Sequence, residues 1–206
     1  MAHLMLKTTM IFFLSLAFSS ISFAADCKKI FSKLDQQSRE IDDIDRVKKL
    51  IAIESDLFKA IDQCKTYSGM FVLMGEIQID MGQVPLAVVY GRKAVELDPK
   101  YWRAYKLLGT SRMLNKEVES GLAALKKANQ LEPDNTNVQL NLVSALVENK
   151  NYDEALGIVN KVIELNNHSI LATAYYLRSE AYKGKGLMEE SEKDAQRSKK
   201  LGFALR

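Results

Sequence analysis

Apolar residues follow three regimes along this chain. From Met10 to Phe18 they are nearly continuous. One charged group, Lys7, precedes the run, and Ser22 and Ala24 stand at small-residue places before a cut. A basic start, an apolar middle and a small-residue exit make residues 1–24 a secretory signal. The stretch from Thr8 to Ala25 carries several hydroxyls and falls short of the roughly 20 strongly apolar residues that a spanning helix needs. Membrane attachment is therefore expected only if the signal stays uncleaved, and the start can be Met1 or Met5. The mature chain is expected to be exported, periplasmic or secreted.

In the second regime Ile30, Phe31, Leu34, Ile41, Ile44, Val47, Leu50, Ile51, Leu57, Phe58 and Ile61 recur at helical spacing with no Gly or Pro between them. The acidic group Asp42, Asp43 and Asp45 falls near the middle, where an Asp can cap the second of two helices. This predicts a helical hairpin over residues 25–67. Cys27 and Cys64 sit near its two ends, and an antiparallel turn brings those ends together. In an oxidising compartment a pair so placed forms a disulfide, which adds up to about 4 kcal/mol by chain entropy. The alternative is two free buried thiols.

The third regime is periodic. Leu97, Asp98 and Pro99 return 34 residues later as Leu131, Glu132 and Pro133, then as Leu165, Asn166 and Asn167; Leu201, Gly202 and Phe203 follow after 36. Gly75 and Gly109 share a phase, as do Ala94 and Ala128. Gly inside a helix costs about 1 kcal/mol relative to Ala, so its return at one phase implies close helix packing. Pro99 and Pro133 end helices. A period of 34 marks a helix–turn–helix unit that must stack on its neighbours to bury its apolar face.

These landmarks resemble the tetratricopeptide repeat (TPR) family over residues 68–101, 102–135, 136–169 and, more loosely, 172–203. Phe71, Met74, Gly75, Ala87, Ala94 and Pro99 carry the first match. Tyr105, Leu108, Gly109, Gly121, Leu125, Ala128 and Pro133 carry the second. The third keeps Leu142, Tyr152, Ala155 and Leu165 but has Val143 for the Gly and Asn167 for the Pro. The fourth has Tyr175 and Tyr182, reads Ser179, Ser191, Ser198 and Phe203 at other signature places, and is preceded by Ile170 and Leu171 as two extra residues. The resemblance implies an all-α, right-handed superhelical solenoid, with the residue 25–67 hairpin capping one end. The polar last helix, with Ser191, Ala195 and Ser198 on its small face, caps the other.

Composition narrows the function. The net charge is +3 with charges interspersed, which argues against a nucleic-acid partner. There is no Gly-rich phosphate loop and no zinc-protease motif. His168 is the one histidine of the mature part, and without a base or metal partner it reads as solvated. No enzyme activity, cofactor, metal or small-molecule substrate is expected.

The resemblance implies a concave groove lined by the first helix of each repeat. The implied lining is Val72, Glu76, Ile79 and Asp80 in the first repeat, and Arg103, Lys106, Thr110, Met113 and Leu114 in the second. The third supplies Asn137, Leu140, Asn141, Ser144, Val147 and Glu148, and the fourth Tyr176, Glu180 and Lys183. Of the set with which part of the family grips a C-terminal carboxylate, Lys106 and Asn141 match but Thr110, Thr173 and Leu177 do not. Tyr101, Trp102 and Tyr105 read as packing at the repeat junction. The expected role is a scaffold or adaptor that binds a peptide or helix of another protein in the groove. The alternative is an accessory or regulatory subunit of an envelope assembly, secretion or enzyme complex.

Overall fold

The structure, a computed structural model, describes residues 26–41, 45–165 and 168–203, without the side chains of His168 and Ser169. The signal segment and Asp42 to Ile44 lie outside the described residues. Among the described residues there are ten helices and no strand. Helix α1 occupies residues 26–39. It is followed by α2 (Arg46–Ile61), α3 (Ser68–Asp80), α4 (Val84–Leu97), α5 (Trp102–Leu114) and α6 (Val118–Leu131). Then come α7 (Thr136–Glu148), α8 (Tyr152–Glu164), α9 (His168–Gly184) and α10 (Met188–Lys200).

The repeat is written in the backbone as well as in the side chains. Gly82, Lys116, Lys150 and Gly186 all have positive φ, between 62° and 78°, in the turn from the first helix of a repeat to the second. After each, the next amide donates to a carbonyl five residues back: Gln83 to Gln78, Glu117 to Arg112, Asn151 to Leu146, and Leu187 to Tyr182, at 2.7–2.9 Å. This is the Schellman closure, in which a left-handed residue lets the chain satisfy the last helical carbonyls. Lysine fills that place in the middle two repeats although it carries a Cβ. The extra pair Ile170 and Leu171 joins α9, which starts at His168 and is thereby longer than the other first helices.

From α2 onward each helix packs on the next in sequence, and the first helices also touch one another in the order α3, α5, α7, α9. No such contact links α4, α6 and α8 among the described residues. A row of helices in mutual contact beside a splayed row makes a curved stack, concave on the side of the first helices. Small residues permit that closeness. A Cβ at Gly109 would lie 2.6 Å from Leu125 Cγ and 3.0 Å from the Gly121 carbonyl; at Gly75 it would lie 2.5 Å from Leu107 Cδ2.

At the N-terminal end α1 and α2 cover α3. Cys27, Phe31 and Leu34 pack with Leu50, Ile53, Leu57 and Ala60, and this layer joins Met70, Leu73, Met74 and Ile77. A disulfide links Cys27 to Cys64. Asp45 precedes α2, but its side chain does not cap it. Its φ of 61° is left-handed, and its carboxylate pairs instead with Lys48 at 3.1 Å. At the other end α10 buries Ser191, Asp194 and Ser198, so Asp194 rather than Ala195 completes the inward face. Arg178 meets that carboxylate with Nε and NH2 at 2.5 and 3.0 Å, and its guanidinium carbon lies 5.3 and 5.8 Å from the ring centres of Tyr175 and Tyr182. A buried charge is tolerated when it is paired in this way.

Candidate partner-binding groove

The concave face holds a cavity of about 910 Å³. The first helices supply Glu76 from α3, Trp102, Arg103 and Lys106 from α5, Asn137, Leu140 and Asn141 from α7, and Ile170 and Thr173 from α9. Asp35, Ser38 and Arg39 of α1 form a further wall. Tyr101 and Asn135, each one residue ahead of a first helix, complete the rim; Asn135 also caps α7, its Oδ1 accepting from the Val138 amide at 3.2 Å. A second, smaller hollow of about 200 Å³ continues the groove past Asn141. Thr110, Met113, Leu114 and Leu125 face Ser144, Ala145 and Glu148 across it.

Charge in the main cavity is organised around Arg103. Its guanidinium donates to Asp35 Oδ1 at 2.7 Å and to Glu76 Oε2 at 2.5 Å, and lies 5.6 Å from the Phe31 ring centre. Lys106 Nζ approaches the other Glu76 oxygen at 3.3 Å. Burial alone would push the Asp35 carboxyl up, but the Arg103 hydrogen bond and charge, with Arg39 adding to them, hold it below the usual carboxylate range. Burial works against the Arg103 cation too, and the two carboxylates outweigh it and raise its pKa. Burial raises the pKa of the Tyr101 hydroxyl above its ordinary value, against the nearby Arg103 charge. Three cations (Arg39, Arg103, Lys106) face two carboxylates, leaving the cavity one positive charge in excess.

The structure brings together only part of the implied lining. Glu76, Arg103, Lys106, Asn137, Leu140 and Asn141 meet in the main cavity, and Thr110, Met113 and Ser144 in the smaller hollow. Val72 is fully buried among Ala94, Ala104 and Leu107 and belongs to the core. Ile79 packs against the same cluster. Asp80 turns toward the cap and pairs with Arg46 at 2.8 Å. Tyr176 stacks on Phe203 at 4.5 Å, and it lines neither cavity; nor do Glu180 and Lys183. Trp102, read from sequence as junction packing, borders the main cavity. Asp35, Ser38 and Arg39 carry no sequence signal, because only the path of α1 across the concave face brings them there. Asn135 did carry one, as an Asn directly before an apolar helix.

Among the described residues no group of three or more His, Cys, Asp or Glu side chains could hold a metal ion. Residues 112–175 match the family model described as tetratricopeptide repeat. Among solved structures, MamA superposes with a TM-score of 0.63 at 22% identity, over 78% of this chain and 95% of that one. YrrB, described as a TPR protein with an unusual peptide-binding site, gives 0.64 at 16% identity over 87% and 92%. A thermophilic TPR protein of Thermus thermophilus gives 0.64 at 15% identity over 85% and 91%. At such identities the likeness establishes the fold.

Proposed function

Because this chain is built of tetratricopeptide repeats, we propose that it is an exported, non-enzymatic interaction module that holds an extended segment of another protein in its concave groove. One observation carries the reading: the cavity combines ligand-site size with two amide side chains, Asn137 and Asn141, that line it from one helix. Its volume of about 910 Å³ falls in the range of roughly 300–1,000 Å³ typical of ligand sites. Asn137 and Asn141 stand one helical turn apart on α7, each with an acceptor and two donors on its side chain. A single amide side chain can thus engage both the N–H and the C=O of one extended residue, which belong to adjacent peptide groups, and this suits a partner recognised by its backbone. The hollow beyond Asn141, where exposed Leu114 stands among Thr110, Ser144 and Glu148, accepts a side chain of that segment. The peptide-binding site of YrrB, on the same fold, is in keeping with this use. Export is supported by the signal-like segment and by the Cys27–Cys64 bond, which suits an oxidising compartment.

A second reading is favoured by Leu86 and Val89 of α4, which are 47% and 55% exposed on the splayed outer row. Apolar side chains so placed suit an accessory subunit that docks by its convex face. Cross-linking mass spectrometry of the native protein with its partners separates the two. Links from the groove residues to one short partner segment support the module, and links clustered on α4 support the subunit.

A further inference from the structure

Helix α1 is a wall of the main cavity as well as part of the end cap. Asp35, Ser38 and Arg39 face the cavity that Asn137 and Asn141 of α7 border. Three side chains of α1, Cys27, Phe31 and Leu34, are buried, and Ile30 packs against the same core; the rest of the helix is exposed or half-buried. Cys27 is bonded to Cys64, and Phe31 meets Tyr67 edge-on at 5.5 Å. Asp35 is held by Arg103, 68 positions away. An isolated helix of about 14 residues is marginal in water. The elements held by few buried contacts are the first to open. The disulfide fixes one end of α1 while Arg103 holds the middle.

We propose that α1 is a releasable wall of the binding site, and that the Cys27–Cys64 bond keeps it in place. Reduction by a small dithiol breaks the Sγ–Sγ bond and delivers two electrons and two protons. Two thiols form, and the dithiol becomes a cyclic disulfide. Untied, α1 leaves the concave face. The cavity then loses its Asp35, Ser38 and Arg39 wall and opens to solvent beside Arg103 and Glu76. The oxidised chain is the form that holds a ligand tightly. This use of the wall rests on the groove reading, but the opening of the wall can be measured without any ligand.

Trp102, the only tryptophan of the chain, borders the cavity and reports on it. Acrylamide quenching of its fluorescence should rise about twofold on reduction with dithiothreitol, as expected when a weakly held element opens. The Cys27→Ser, Cys64→Ser double variant should show the same rise, which removes any question of access to the buried bond. Asp35→Ala in the oxidised protein should raise quenching by a smaller amount. Far-UV circular dichroism should lose no more helix than α1 contains. Unchanged quenching in the double variant overturns the proposal. So does loss of the whole helical signal, because the bond would then hold the entire fold rather than one wall. In a second arm, a peptide selected from a random display library on the oxidised protein should bind the reduced protein about tenfold more weakly, a difference of about 1.4 kcal/mol. Equal affinity for both forms overturns the coupling. Failure to select any groove-binding peptide counts against the groove reading, and the quenching arm still decides whether the wall moves.

Discussion

Arg103 of the second repeat grips Asp35 of the N-terminal helix at 2.7 Å, with side chains only 11% and 15% exposed. The family resemblance implied a groove-lining place for Arg103, where it would meet a partner. The structure spends it on α1 and Glu76, so its removal acts on folding first. Arg103→Leu should lower stability by about 1.5–3 kcal/mol, the range for a hydrogen bond to a charged group, as it leaves Asp35 and Glu76 without their cation. Arg103→Glu should cost more, since three acids would then converge. Urea unfolding followed by circular dichroism measures both. A loss below about 0.5 kcal/mol, usual for an open surface position, would contradict the assignment.

The same pair sets an acid limit. Asp35 has a folded-state pKa below its ordinary value, so its contribution is complete above the ordinary carboxylate pKa of about 3.9. It disappears as pH falls through the lower folded value, because the unfolded chain binds the proton more readily. The wild-type advantage in stability over Asp35→Asn should therefore hold between about pH 7 and pH 5 and shrink below about pH 4. An advantage that grows on acidification would contradict the sign.

Two glycines in helix interiors should respond in opposite ways to alanine. Gly109→Ala pushes a Cβ to within 3.0 Å of the Gly121 carbonyl and the Leu125 nitrogen, both backbone atoms. Such overpacking costs about 1–3 kcal/mol. Gly157 has nothing within 4 Å of an added Cβ, so Gly157→Ala should gain about 0.5–1 kcal/mol from helix propensity. Thermal melts of the two variants should move in opposite directions.

Repeats, helix order and the close approach at Gly75 and Gly109 were legible because they depend on residues whose spacing survives in one dimension. The groove was legible only where a first helix has a polar face, as at Lys106, Asn137 and Asn141. Val72 was misplaced because α3 is largely apolar and is packed by α2, α4 and α5, so the Val72 position is enclosed while Glu76, one turn on, reaches the cavity. Asp194 went unread because an acid on a charged helix looks solvated until Arg178, 16 positions earlier, is seen to meet it. The α1 wall was illegible for a similar reason. Its residues are ordinary in sequence, and only the tertiary course of the helix gives Asp35 its partner.

The concave face is proposed to bind a peptide backbone through α7. That binding is tested most directly by the affinity of a peptide selected on the oxidised protein, measured by titration calorimetry against two double variants. Asn137→Ala with Asn141→Ala removes the groove amides, and alanine favours the helix, so weakened binding cannot be put down to unfolding. Val89→Ser with Leu86→Ser changes only exposed side chains of α4. The Asn pair should lose about 2 kcal/mol or more, which is about thirtyfold in affinity, as for interface hot spots. The α4 pair should bind like the parent. Undiminished binding by the Asn pair, with loss in the α4 pair, would contradict the account and place the working surface on the outer row.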